Sequence, residues 1–158
     1  MKPTKVIFKN KVNIEPKTTY KRCMFTLFLL KCSYPKYELL EDMIVDIHFE
    51  DVVYEITIKK GYQCDLASIP RMFWSVYPPD GAYRYSAILH DMLYQSEMFT
   101  RYINDNIFKL GMHESVPDSV RNLFYNGVRV GGSFVYKGHT EETIANAIKY
   151  LEIKEIKC

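Results

Sequence analysis

The sequence has no block of one charge, no long apolar run, no cysteine motif and no internal repeat, and each absence removes a class of protein. Its 21 Lys and Arg are interspersed with 19 Asp and Glu over 158 residues. The resulting formal charge of +2 leaves no electrostatic footprint for DNA or RNA, so no nucleic-acid partner is expected. The longest apolar run, Cys23-Met24-Phe25-Thr26-Leu27-Phe28-Leu29-Leu30, falls far short of the roughly 20 residues of a spanning helix, and no transmembrane segment is expected. The N-terminal stretch scatters its lysines and has neither an apolar h-region nor a small-residue cleavage site. It does not read as a secretory signal, which predicts synthesis and first residence in a cytoplasm. Cys23, Cys32, Cys64 and Cys158 match neither a CxxC zinc clip nor a dense disulfide framework, and are read as buried or incidental thiols.

What the chain does have is rings: 13 Tyr, 9 Phe and one Trp make up 15% of it. They either fill a small core or give a tyrosine-rich surface for another protein, and composition alone leaves both open. A chain of this length buries roughly 70% of its unfolded surface and needs no staple. Residues 1–158 are therefore read as a single domain: strand-rich over 1–60, an ordered loop over 61–85, helical over 86–157.

The strand-rich part has candidates at Lys5–Phe8, Cys23–Leu30, Asp42–Phe49 and Val52–Lys59, the last two joined by a tight turn at Glu50-Asp51. Together they predict a small antiparallel sheet. Pro70, Pro78, Pro79 and Asp80-Gly81 then break any regular structure. Beyond Gly81 the apolar period changes from two to about three and a half, which predicts helices. The first runs from about Ser86, a candidate cap, to Phe99, and the second from Thr100 to His113. The third runs from Pro117 to Gly131-Gly132, and the fourth opens at Thr140 with Ile144, Ala147, Ile148 and Leu151 on one face. The fold class is α+β: a small N-terminal antiparallel sheet followed by a three- to four-helix bundle.

The densest polar cluster within an apolar helix is His90-Asp91-x-x-Tyr94. Four residues apart, His90 and Tyr94 share a face, whereas Asp91 is turned by about 100° toward another neighbour. Histidine is the natural general base near neutral pH, and a carboxylate beside it can hold a hard cation that polarises a reacting oxygen. A catalytic imidazole also needs an orienting group. Asp105, on the next helix, is the candidate if the two helices pack antiparallel, unless Arg101 claims that carboxylate. Asp65, in the loop that precedes the only Trp, is read either as an Asx-turn or capping residue, or as a cation ligand or a clamp on the helix of His90. A purely structural role, in which His90 and Asp91 bond nearby backbone, is the alternative for the whole cluster.

The runs G-Y-x-C-D-L-A-S-I-P-R, P-P-D-G-x-Y, A-I-L-H-D-M-L-Y, R-x-x-x-D-x-x-F and F-Y-x-G-V-R-V-G-G follow one another between about residues 34 and 136. In this order they resemble a family of bacteriophage and prophage proteins, domain of unknown function 1353. Asn104 stands where that family usually has Ala. The resemblance implies a phage context, with residence in the host cytoplasm or incorporation into the virion, and phage structural proteins as partners. His90-Asp91-x-x-Tyr94 followed by Asp105-x-x-Phe108 is more distantly similar to the catalytic helix pair of phospholipases A2. That similarity implies His90 as the base activating water, Tyr94 and Asp105 as its support, Asp91 as a calcium ligand, and a lipid or cell-envelope ester as substrate. In this sequence Leu93 stands in place of a common cysteine, and Pro78-Pro79-Asp80-Gly81 or Gly61–Asp65 are the nearest substitutes for a calcium loop.

Overall fold

The computed structural model describes residues 1–17, 36–66, 81, 83–136 and 139–157. The expected strand at 23–30, three of the four cysteines and the loop residues 67–80 with Trp74 lie outside the described residues. Among the described residues, seven strands and four helices are formed in the order β1 (Lys5–Phe8), β2 (Ile14–Lys17), β3 (Lys36–Leu39), β4 (Met43–His48), β5 (Val52–Ile58), β6 (Gln63–Cys64), α1 (Arg84–Ser96), α2 (Arg101–Gly111), α3 (Asp118–Tyr136), α4 (Glu141–Ile148) and β7 (Leu151–Lys157). The architecture is α+β, as the change of period predicts.

The larger sheet is antiparallel with strand order β1-β4-β5-β7. Period-two alternation gives it two different faces. Met43, Val45 and Ile47 lie opposite Ile58, Ile56 and Tyr54 and form the inner face, where Met43, Val45, Ile47, Ile56 and Ile58 are fully buried. On the outer face Lys9 bridges Asp46 at 2.9 Å and Glu55 at 2.7 Å, so two carboxylates placed directly opposite each other share one cation. The smaller sheet, β2-β3-β6, is built from strands of four residues or fewer. Pro16 is tolerated there because, among the described residues, β2 pairs on one side only.

Three expectations are corrected. Residues 151–157 do not extend the helical region: they form β7, pairing with β5 from Ile58↔Leu151 to Val52↔Lys157. Leu151 and Ile153 alternate with charged residues, and across the sheet they meet the buried Ile58 and Ile56, a gain that continuing the helix cannot offer. Ser86 is not a cap. Helix α1 starts two residues earlier, and Ser86 is buried so close to Gly111 that a Cβ there would stand 2.7 Å from the Ser86 hydroxyl. Helix α3 runs through Gly131-Gly132 to Tyr136, since the roughly 1 kcal/mol that each glycine costs does not outweigh continuation. The Thr140 cap is formed as expected, its hydroxyl accepting from the Thr143 N–H at 3.3 Å.

Helix α1 is unlike the others because residues 86–94 are buried without interruption. Such a helix is enclosed on every side, so each polar side chain on it must find its partner within the protein. Among the described residues, no helix is long and apolar enough to cross a membrane.

Candidate active site

Helices α1 and α2 are joined by a short turn that begins at Glu97, a left-handed residue with φ 50°. They run antiparallel: Ser86 approaches Gly111, His90 packs on Phe108, and Leu93 and Tyr94 meet Asn104 and Asp105. Asn104, on α2, donates to the carbonyls of Leu93 and Phe99 at 3.1 and 3.2 Å and so ties the end of α1 to the start of α2.

This arrangement brings His90, Tyr94 and Asp105 together. The His90 Nε2 lies 3.0 Å from the Asp105 Oδ1, and the Tyr94 hydroxyl donates to the same oxygen. The other oxygen, Oδ2, receives the Arg129 Nη1 at 2.7 Å from α3, with the Arg101 Nε at 3.9 Å. Arg101 keeps only this long ion pair with the carboxylate and does not displace His90. It spends its Nη2 on the backbone carbonyls of Val128 and Arg129, and its Nε donates to the Tyr94 hydroxyl at 3.3 Å. Helices α2 and α3 are thus braced reciprocally.

Asp105 is wholly buried. Burial pulls its carboxyl pKa upward, but the hydrogen bonds from His90, Tyr94 and Arg129 outweigh that and hold it below the ordinary carboxylate range. An ionised carboxylate only accepts, so the His90 Nε2 must carry the proton and donate. Burial also holds the His90 pKa below its ordinary value of 6.5, against the pull of Asp105 in the other direction. The ring is therefore neutral at pH 7, the protonation state that a general base requires, and with the proton on Nε2 its lone pair is on Nδ1. The Tyr94 phenol is pushed up, first by burial and then by its bond to Asp105, and stays protonated.

Asp91, adjacent in sequence, faces a different neighbourhood, as a rotation of about 100° per residue dictates. Helix α1 touches β6 there, and the charges of Asp91 and Asp65 both reach Tyr62 and Cys64. Burial, reinforced by these carboxylates, pushes the Tyr62 hydroxyl and the Cys64 thiol well above their usual ranges. The two expected cation ligands thus lie around one corner. Calcium takes six to eight oxygens, and among the described residues no three Asp, Glu, His or Cys groups are gathered so as to hold a metal ion. Asp91 and Asp65 by themselves do not make up the donor set for calcium.

The residue that sequence reasoning missed is Arg129. Its only signal was its place within the run F-Y-x-G-V-R-V-G-G, for nothing local in a helix tells which carboxylate an arginine will reach. The profile of a family described as a protein of unknown function (DUF1353) matches residues 37–128. The chain belongs to that family. No curated protein and no solved structure matches it.

Proposed function

We propose that this member of the family is a hydrolase of phospholipase A2-like type, made in the host cytoplasm and acting on an ester of a lipid or another cell-envelope component during phage entry or lysis. The observation that carries this reading is the commitment of one Asp105 oxygen to both His90 and Tyr94, which leaves the lone pair of a neutral imidazole on Nδ1. In the reaction, Nδ1 takes a proton from water as the water oxygen attacks the ester carbonyl. The imidazolium is steadied by Asp105 and then returns the proton to the departing alcohol. Asp91 and Asp65 would serve this site only through a cation completed by further donors.

A second reading has its own support. The His90 ring is 3% exposed and packed between Tyr94, at 4.1 Å, and Phe108, at 4.8 Å between ring centres. Such enclosure favours a non-enzymatic virion or host-interaction protein in which the network is scaffold. Hydrolysis of mixed phospholipid vesicles, measured with and without calcium alongside thermal unfolding, separates the two. A general base contributes roughly a hundred- to ten-thousandfold, so His90→Gln should lose nearly all turnover and keep its fold. A calcium dependence that disappears in Asp91→Asn would assign the cation to that corner. An inactive wild type together with a destabilised His90→Gln would reject the hydrolase in favour of the scaffold.

A further inference from the structure

We infer that Arg129 is a positioning residue of this site: its ion pair with Oδ2 keeps the buried Asp105 an acceptor only, and an acceptor at Nε2 fixes the imidazole in a single tautomer. The consequence for rate rests on the hydrolase reading; the effect on the tautomer does not. A carboxylate has two equivalent oxygens and a soft terminal torsion. Either oxygen of an ionised Asp105 would hold His90 with its proton on Nε2; a carboxylate buried without a cation takes up a proton instead, and the acid can donate to Nε2 or accept from it. The Arg129 Nη1 at 2.7 Å on Oδ2 opposes that protonation, since a guanidinium–carboxylate bond is both strong and directional.

The arginine is itself held in place. Its guanidinium lies 5.7 Å from the centre of the Tyr102 ring, and its backbone carbonyl accepts from Arg101. Among the described residues the other cation near Oδ2 is Arg101, whose Nε at 3.9 Å makes a long ion pair and lies beyond hydrogen-bond reach. The supports of His90 therefore come from three helices, and the third is supplied by α3. With 34% of its side chain exposed, Arg129 sits where water can take its place, so its removal should loosen the site without collapsing the core.

The test is long-range proton–nitrogen NMR of the histidine rings at a fixed pH above 7, on the full chain, in wild type, Arg129→Met and Arg129→Lys. The wild-type His90 should show one tautomer, protonated on Nε2. Arg129→Met should show both tautomers in exchange, whereas Arg129→Lys, which keeps the charge, should keep the wild-type pattern. Arg129→Gln replaces the methionine variant if that one does not fold. On phospholipid vesicles, kcat should fall about ten- to a hundredfold in Arg129→Met at nearly constant KM, the size of loss that follows removal of an orienting partner. An unchanged Nε2–H tautomer in the neutral variants would overturn the inference and leave Arg129 as a structural brace. A wild type with no hydrolysis would overturn the proposed function, while the tautomer result would still decide the role of Arg129.

Discussion

Replacing Asp105 by Asn keeps the shape of the side chain and removes its charge. Hydrogen bonds to an ionised group contribute about 1.5–3 kcal/mol and neutral ones about 0.5–1.5 kcal/mol, so the two buried bonds from His90 and Tyr94 should each weaken by about 1–1.5 kcal/mol. The Arg129 bond is discounted because a third of that side chain is in solvent, and adds about 0.5 kcal/mol or less. The new amide group must also face either a guanidinium or the His90 and Tyr94 donors. The total is about 3 kcal/mol. With 158 residues and an unfolding entropy of about 2.1 cal/mol/K per residue, Asp105→Asn should melt about 9 °C below wild type. The control is Asp118→Asn: that carboxylate also meets an arginine, Arg121 at 2.8 Å, but is 80% exposed, and should shift the midpoint by only about 1–3 °C. Circular dichroism melts at pH 7.5 suffice. Because the folded-state pKa of Asp105 is depressed, its stabilisation is fully present above its ordinary value of 3.8 and is lost as pH falls through the folded value. The gap between the variants should close in that window. Equal shifts for Asp105→Asn and Asp118→Asn would refute the argument that a buried, triply bonded carboxylate organises the three helices.

His90 gives a second pH signature. With a folded pKa below the ordinary 6.5, the unfolded chain takes up the proton first as the solution is acidified, so the stability tied to neutral His90 is complete above pH 6.5 and falls below it. Midpoints recorded between pH 5 and 7 should decline toward acid in wild type, with a shallower slope in His90→Gln; parallel slopes would count against a depressed pKa. In Gly111→Ala the new methyl would stand 2.7 Å from the Ser86 hydroxyl and 3.3 Å from the Phe8 ring. Overpacking of this kind costs about 1–3 kcal/mol, and Ser86→Ala in the same chain should recover part of it. Denaturant midpoints of both single variants and the double variant measure this coupling, and additive losses would show that the helices simply move apart.

The parts of this fold legible in the sequence are those decided locally. The apolar spacing of α1 and α2 and the short turn between them were enough to bring Asp105 back to His90, and the i, i+4 spacing put Tyr94 beside them. The Asp91 and His90 side chains face different neighbours for the same reason. Strand β7 was not legible, because Leu151 fits both the stripe of Ile144, Ala147 and Ile148 and an alternation with Ile153. Only β5, far away in sequence, decides between them. The smaller of the two sheets, β2-β3-β6, was missed because strands of four residues or fewer carry too little alternation to register. Arg129 was missed because its partner is set by how α3 returns across α2, a tertiary outcome with no local trace.

The late return of β7 to the first sheet also has a mechanical meaning. The registers place Lys5, His48, Val53 and Ile156 in one row across the four strands. The start of β1 and the end of β7 therefore lie at the same end of the sheet, on opposite edges, about 14 Å apart at the usual spacing of about 4.8 Å between strands. Tension drawn from these two points acts across the strands, so hydrogen bonds at that end carry the load one after another and the edges peel like a zipper. Strands pulled along their length would share the load among all their bonds and resist together. Both edge strands also lie outside residues 37–128, the part shared with the family. Under such a load the sheet would shed β1 and β7 first and leave the β4–β5 hairpin with the helices that carry His90, Asp105 and Arg129.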